Sequence, residues 1–309
     1  MKKTLYIISC LLILVFVTAG CKKILEPKIY SQVNASDFPQ TEADVLSALV
    51  PFYAQFNPNY GSTDVSSGVF DFSFTAGYLG YTWATSIQTD EAFDMSNAPY
   101  SQFTLGPSTY LNTSGRVFYD RVSYVAKLTG LIDKISTSSI SNKNLYIAEA
   151  KGLRAWLMYI LYDLYGPVSV KLDPSKLTSN EVEPRLSKAD YTAAMESDLQ
   201  AAISGLPNKY NGTANWGRLS KGVARTILFK LYLHDKQWAK AQAVGKEIMT
   251  MGYALHPSYT DVFTTSQNNE LIFAVPGNSA TTSIWYACIL PGDAALVLGN
   301  DVTRGDKYQ

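Results

Sequence analysis

The sequence predicts a mainly α-helical protein with an irregular region of loops and short strands set into it. Three observations carry this. Ala148–Val168 reads AEAKGLRAWLMYILYDLYGPV and is apolar or aromatic at every position from Ala155 to Tyr162, a pattern that belongs inside a helical stack rather than on a surface. Thr41 with Asp44, and Ser187 with Asp190, place a hydroxyl three residues before an acid at the head of a periodic stretch, the mark of a capped helix start. Ser220–Tyr253 holds two helical stripes in succession, about the length of one two-helix repeat.

Taken in order, Lys22–Phe38 reads as an extended tether. A helix follows from Thr41 to about Phe56, with Val45, Leu46, Leu49, Phe52, Tyr53 and Phe56 at helical spacing. Asn57–Ser114 differs in kind: Gly, Ser, Thr and aromatics dominate, charges thin out, and no 3.6-residue period persists. Structured loops with short strands are expected there, and ordered loops of that length usually serve a function. From Arg116 helices take over, first along Phe118, Val122, Val125, Thr129 and Ile132.

The Tyr146–Tyr165 helix comes next. Lys151, Arg154 and Asp163 interrupt it, so it falls short of the ~20 apolar residues of a membrane span and reads as a core helix. Gly166-Pro167 ends it, since glycine accepts a left-handed C-terminal position and proline cannot continue the helix. Ser187 heads a helix to about Ser204. Ser220 caps one bearing Val223, Ile227, Leu228, Leu231 and Tyr232; Trp238, Ala241, Val244 and Ile248 form its partner, closed by Gly252. Leu271–Val275 alternates before Pro276 and predicts a short strand, and loop-like sequence runs from Gly277 to Gln309.

The N-terminus starts with Met1-Lys2-Lys3 and the apolar Leu5–Val17, then Thr18-Ala19-Gly20-Cys21. A basic start, a short apolar segment and small residues make a secretory signal, and its last four residues resemble a bacterial lipobox. On that reading residues 1–20 are removed and Cys21 takes a diacylglycerol on its thiol and an acyl chain on its new amine, several chains together giving firm anchoring. The plainer alternative is cleavage at a nearby small-residue site, leaving a secreted protein. Lys22 supplies no aspartate beside Cys21 for inner-membrane retention.

The composition fits an exported globular protein. Of 309 residues, 47% are hydrophobic and 13% aromatic, enough for a sizeable core. The 26 basic residues equal the 26 acidic ones, and loss of Lys2 and Lys3 with the signal leaves the acids slightly ahead. That balance argues against nucleic acid, which needs a clustered basic surface. Of three cysteines, Cys10 goes with the signal and Cys21 is lipidated, so Cys288 stands alone, with neither an internal disulfide nor a cysteine metal cluster to form.

Catalytic chemistry finds little to use. The two histidines are His234, at a predicted helix end beside Asp235, and His256, before Pro257 in a loop; neither sits in a triad or metal motif. GxGxxG, Walker A and GxSxG patterns are missing. Asp90, Glu91 and Asp94 lie near one another with Asp71 upstream and are the acids a glycosidase pair would draw on, although turn capping is their plainer role, and calcium binding by them lacks an EF-hand pattern. No cofactor or metal is expected. Aromatics are better candidates, because the C–H-rich face of a sugar lies flat on a rigid Tyr or Trp. Tyr78, Tyr81 and Trp83, with Asp90 nearby, and Trp285 with Tyr286 are the expected ligand-binding residues. Packing in the core or a loop is the competing role for any of them, and it suits Trp216 and Trp238, which adjoin helix starts. The sequons at Asn34, Asn112 and Asn211 are read as coincidence beside a bacterial signal.

Several of these stretches resemble one family. Glu149-Ala150-Lys151, Leu153-Arg154-Ala155 and Leu164-Tyr165-Gly166-Pro167-Val168 look like the signature helix of SusD/RagB-type outer-membrane lipoproteins, with Lys151 in place of the usual arginine and a single glycine before Pro167. Asp37-Phe38-Pro39 with Thr41-Glu42, Thr89-Asp90-Glu91 and Glu270-Leu271-Ile272-Phe273 resemble further signatures of that family, and Gln237–Ala241 resembles the second helix of a tetratricopeptide repeat. The resemblance implies a signal peptide at 1–20, a lipidated tether at 21–38, a SusD-like helical domain at 39–276 with a loop-rich insertion at about 57–115, and the incomplete start of a loop-rich C-terminal region at 277–309.

In function it implies a non-catalytic glycan- or nutrient-binding protein lipid-anchored on the outer face of the outer membrane of a Bacteroidetes-type bacterium. Such a protein passes oligosaccharide to a SusC-like TonB-dependent porin, the helical repeats touching the porin and the loops the glycan. A surface glycoside hydrolase and a tetratricopeptide-like protein scaffold are the two alternatives.

Overall fold

The computed structural model describes residues 38–56 and 121–275, together with the single positions 85, 89, 90, 102 and 104. Among the described residues there are seven α-helices: α1 (Glu42–Tyr53), α2 (Arg121–Thr137), α3 (Lys143–Tyr165), α4 (Lys188–Gly205), α5 (Lys221–His234), α6 (Trp238–Met249) and the short α7 (Tyr259–Thr264). A 3-10 turn, Ala54–Phe56, continues α1.

The helix starts are set by local chemistry. Thr41 accepts from the Asp44 N–H while the Asp44 carboxylate accepts from the Thr41 N–H at 2.9 Å, a complete capping box. Ser187 likewise accepts from the Asp190 N–H, but there the Asp190 carboxylate takes the serine hydroxyl at 2.6 Å instead of a backbone N–H, so only half of the expected box forms. Ser220 caps α5 through the Val223 N–H. At α3 the stop falls where expected: Gly166 has φ +69° and ψ −161°, a region open to glycine alone.

The helices stack in chain order. α3 packs against α2 on one side and α4 on the other, α4 meets α5, and α5 meets α6, with α1 lying across α2 and α3. Short connections at 138–142 and 235–237 make α3 double back on α2 and α6 on α5. α3 is the centre: Ala155, Leu157, Met158, Tyr159, Ile160, Leu161 and Tyr162 are buried, and Trp156 is half-buried. Its approach to α4 is very close. A Cβ on Gly205 would stand 2.6 Å from that of Ala148, so glycine there lets the two backbones meet.

The structure corrects three expectations. The buried face of α2 takes in Val125 and Thr129 of the expected stripe but continues through Leu128, Leu131 and Ile135, with Val122 and Ile132 only half-buried. Leu46 on α1 is exposed, off the face that buries Val45, Leu49 and Phe52. Leu271–Val275 is not a strand: among the described residues no strand lies beside it, and its first backbone groups are bonded by a turn and by the Asn211 side chain. α7 is capped by Ser258 through the Asp261 N–H, the same hydroxyl-to-acid spacing that starts α1 and α4.

Candidate functional site

Two stretches carry the expected sugar-stacking residues, one following Phe56 and one following Val275. Tyr78, Tyr81, Trp83, Trp285 and Tyr286, and the lipidation candidate Cys21, lie outside the described residues. Asp90 is described, as an exposed bend next to Thr89, and it has no place in the helical core. What the structure does give is the base from which both stretches depart, and it is built in three parts.

The first part is aromatic. Phe56, at the end of the turn after α1, stacks on Trp156 of α3 with ring centroids 4.2 Å apart, and Phe273 meets the same indole edge-on at 5.0 Å. Ile272 and Val275 also pack against the core. The last described residue before the first loop-rich stretch and one of the last before the second therefore lie against one indole. Trp156 is the half-exposed position of an otherwise buried run, which periodicity could not single out.

The second part is ionic. Glu149 of α3 is fully buried, and its carboxylate accepts from the Tyr53 hydroxyl, from Arg218 Nε at 3.0 Å and from Arg218 Nη2. Tyr53 in turn accepts from the Leu219 N–H at 2.8 Å. Burial first, and then the Glu149 charge, push the Tyr53 phenol well above its ordinary value. Burial alone would lower Arg218, but the Glu149 carboxylate outweighs it and holds the guanidinium above its usual value. One turn further along α3, Arg154 grips Asp198 of α4 with Nε and Nη2 at 2.7 and 2.9 Å and Thr129 of α2 with Nη1 at 2.9 Å. Both motif charges are thus committed to holding helices together. With every oxygen of Glu149 engaged and none exposed, it cannot serve as an acid or base for an outside substrate.

The third part is a seam of loop contacts below Phe273. Asn211 donates to the carbonyls of Asn268 and Leu271 at 2.7 and 2.9 Å, the Gly212 N–H donates to Gln267 at 2.8 Å, and Lys209 donates to the Gly252 carbonyl at 3.1 Å. Asn268 is itself buried and ties back to Val262 and Thr265. The seam fixes the direction in which Leu271–Val275 leaves. Partners so distant in sequence left no periodic signal.

The remaining candidates fall outside this base. His234 is the last residue of α5, exposed, with its ring nitrogens 3.3 Å from Asp235 and 3.6 Å from Asp163 and its face on Tyr162; a helix end of this kind suits histidine. His256 has its N–H bonded to Glu270 and its ring turned to Ser258. Trp216 is half-buried, as packing predicts, but Trp238 is 62% exposed, which corrects the packing role assigned to it: the first residue of α6 projects beyond the contact with α5. Among the described residues, no group of three His, Cys, Asp or Glu side chains could hold a metal ion, and no helix is long and apolar enough to cross a membrane.

No family model matches the chain. In sequence it is similar to a SusD-like protein of Bacteroides ovatus, 27% identical over 225 residues that make up 67% of this chain and 40% of that one. In structure it is similar to a SusD-like carbohydrate-binding protein of Bacteroides fragilis, with a TM-score of 0.61, 22% identity and coverage of 75% of this chain and 45% of that one. A laminarin-binding SusD-like protein aligns with a TM-score of 0.55 and 23% identity, covering 76% of this chain and 51% of that one. The chain thus spans about half the length, or less, of these relatives. Its helices have the SusD-like fold, and its sequence relatives are SusD-like proteins.

Proposed function

We propose that the chain is the helical front part of a non-catalytic, cell-surface glycan-binding lipoprotein. It would capture oligosaccharide on aromatic residues of its two loop-rich stretches, Tyr78, Tyr81 and Trp83 with Asp90 in the first and Trp285 with Tyr286 in the second. Lipid on Cys21 would hold it to the outer membrane, and a SusC-like TonB-dependent porin would receive the sugar. The observation that carries this reading is the convergence of both stretches on one base, Phe56–Trp156–Phe273, on a fold shared with proteins whose names record carbohydrate or laminarin binding. The advantage of such a pairing is effective concentration: a docked binder keeps ligand at the pore entrance and spares a second diffusional search.

A panel of oligosaccharides, laminarin fragments among them, tests the binding. Trp83→Ala should weaken retention without loss of fold, and unchanged retention would remove Trp83 from the site. Release of new reducing ends would favour the hydrolase instead. Cys21→Ala should move the protein from the membrane to the soluble fraction, and persistence in the membrane would exclude lipid on that thiol.

A further inference from the structure

Among the described residues, the ring of Trp156 meets Phe56 and Phe273, which come from opposite ends of the described body. Phe56 lies nearly parallel to it, 27° between planes, and Phe273 nearly perpendicular, at 79°; both arrangements are favourable for aromatic pairs. The indole is mounted on α3, the central helix among those described. Ala155 and Leu157 on either side of it are fully buried, Glu149 and Arg154 are pinned by Arg218 and Asp198, and α4 approaches closely at Gly205. Phe56 is fully buried as well, although the chain beyond it begins the loop-rich sequence. Neither phenylalanine has this support by itself: one ends a single 3-10 turn, and the other sits in a segment without regular structure.

We propose that Trp156 is a positioning residue that joins the two loop bases into one mechanical unit, so that displacement of Phe56 is felt at Phe273 and the reverse. What this would serve rests on the glycan-binding reading: ligand steadying the stretch after Phe56 would also steady the one after Val275. The coupling itself is measurable without any glycan, so its failure is distinct from failure to bind sugar.

The test is a double-mutant cycle on the full chain with Phe56→Leu and Phe273→Leu, read as unfolding equilibrium constants in urea. Each aromatic pair shifts such an equilibrium by roughly two- to twelve-fold. With Trp156 present, the double variant should depart from the product of the single effects by about twofold or more, as contacts within one cluster do. Repeated in the Trp156→Leu background, the cycle should return to simple multiplication. Independent effects with Trp156 intact, or the same departure after its removal, would overturn the proposal. Trp156→Met, unbranched and more flexible, takes the place of leucine if that variant does not fold.

Discussion

Each half of α3 holds a tyrosine, a carboxylate and a cation in contact, and the two groups differ in what surrounds them. In the first, Glu149 is fully buried, and Arg218 meets it with two nitrogens while Tyr53 fills its remaining site. In the second, Tyr162 donates to Asp235 at 2.7 Å and Lys188 reaches the same oxygen at 2.9 Å, but the lysine side chain is 62% exposed. Arginine suits the first site because its planar fork matches a carboxylate with two parallel bonds, whereas lysine acts as a point charge that water also solvates. The same three chemical types therefore do different things. With the cation largely covered, they weld α1, α3 and the approach to α5 into one piece; with only the lysine open to water at the surface, they close the turn between α5 and α6 against the start of α4.

Breaking the buried group should have the largest effect. Glu149→Ala leaves the Arg218 charge without its partner, and such a loss costs about 3–5 kcal/mol, measurable as a fall in unfolding free energy in urea. Arg218→Lys should recover only part of what Arg218→Ala loses, since the two-pronged geometry is gone.

Gly205→Ala asks whether packing next to these charges matters as much. The new methyl would meet the Ala148 Cβ, which has no rotamer to escape into, and overpacking of this kind costs about 1–3 kcal/mol. Its melting temperature should fall less than that of Glu149→Ala but more than that of any surface variant.

The surface group supplies the pH dependence. Burial works against the charge on Asp235, yet the hydrogen bonds from Lys188, Tyr162 and His234 outweigh it and hold the carboxyl below its ordinary value. A carboxyl lowered on folding stabilises above its unfolded value of about 3.9 and ceases to do so as pH falls through the folded one. Asp235→Asn should therefore be less stable than the parent at neutral pH, by less than Glu149→Ala, with the gap closing on acidification below about pH 4. A gap that widened on acidification would contradict this assignment. Trp238→Ala should be the mildest, within about 0.5 kcal/mol of the parent, as for surface changes that touch no special feature.

How much of this was legible follows from the range of each interaction. Thr41, Ser187 and Ser220 announce helix starts because a cap needs only neighbours three residues away. The density of Ala155–Tyr162 announces the central helix for the same local reason, and Gly166-Pro167 its end. Glu149 and Arg154 were visible as motif residues, but their partners Arg218 and Asp198 were not, since nothing in the spacing links them. Trp156 as the meeting point of two loop bases, and Asn211 as the clamp beneath one, depend on tertiary approach alone. Leu271–Val275 misled because alternation describes what a strand would bury and says nothing of whether a partner strand is there. The ligand-binding candidates rest on chemical type alone, and apart from the exposed Asp90 they lie outside the described residues.

Isothermal titration of the chain with a panel of oligosaccharides, including laminarin fragments, tests the functional account most directly, because one trace reports both capture and turnover. Saturable binding heat that returns to baseline after each injection, with at least one member of the panel, is the predicted result. A continuing heat of hydrolysis, or no binding to any sugar by the folded protein, would contradict it.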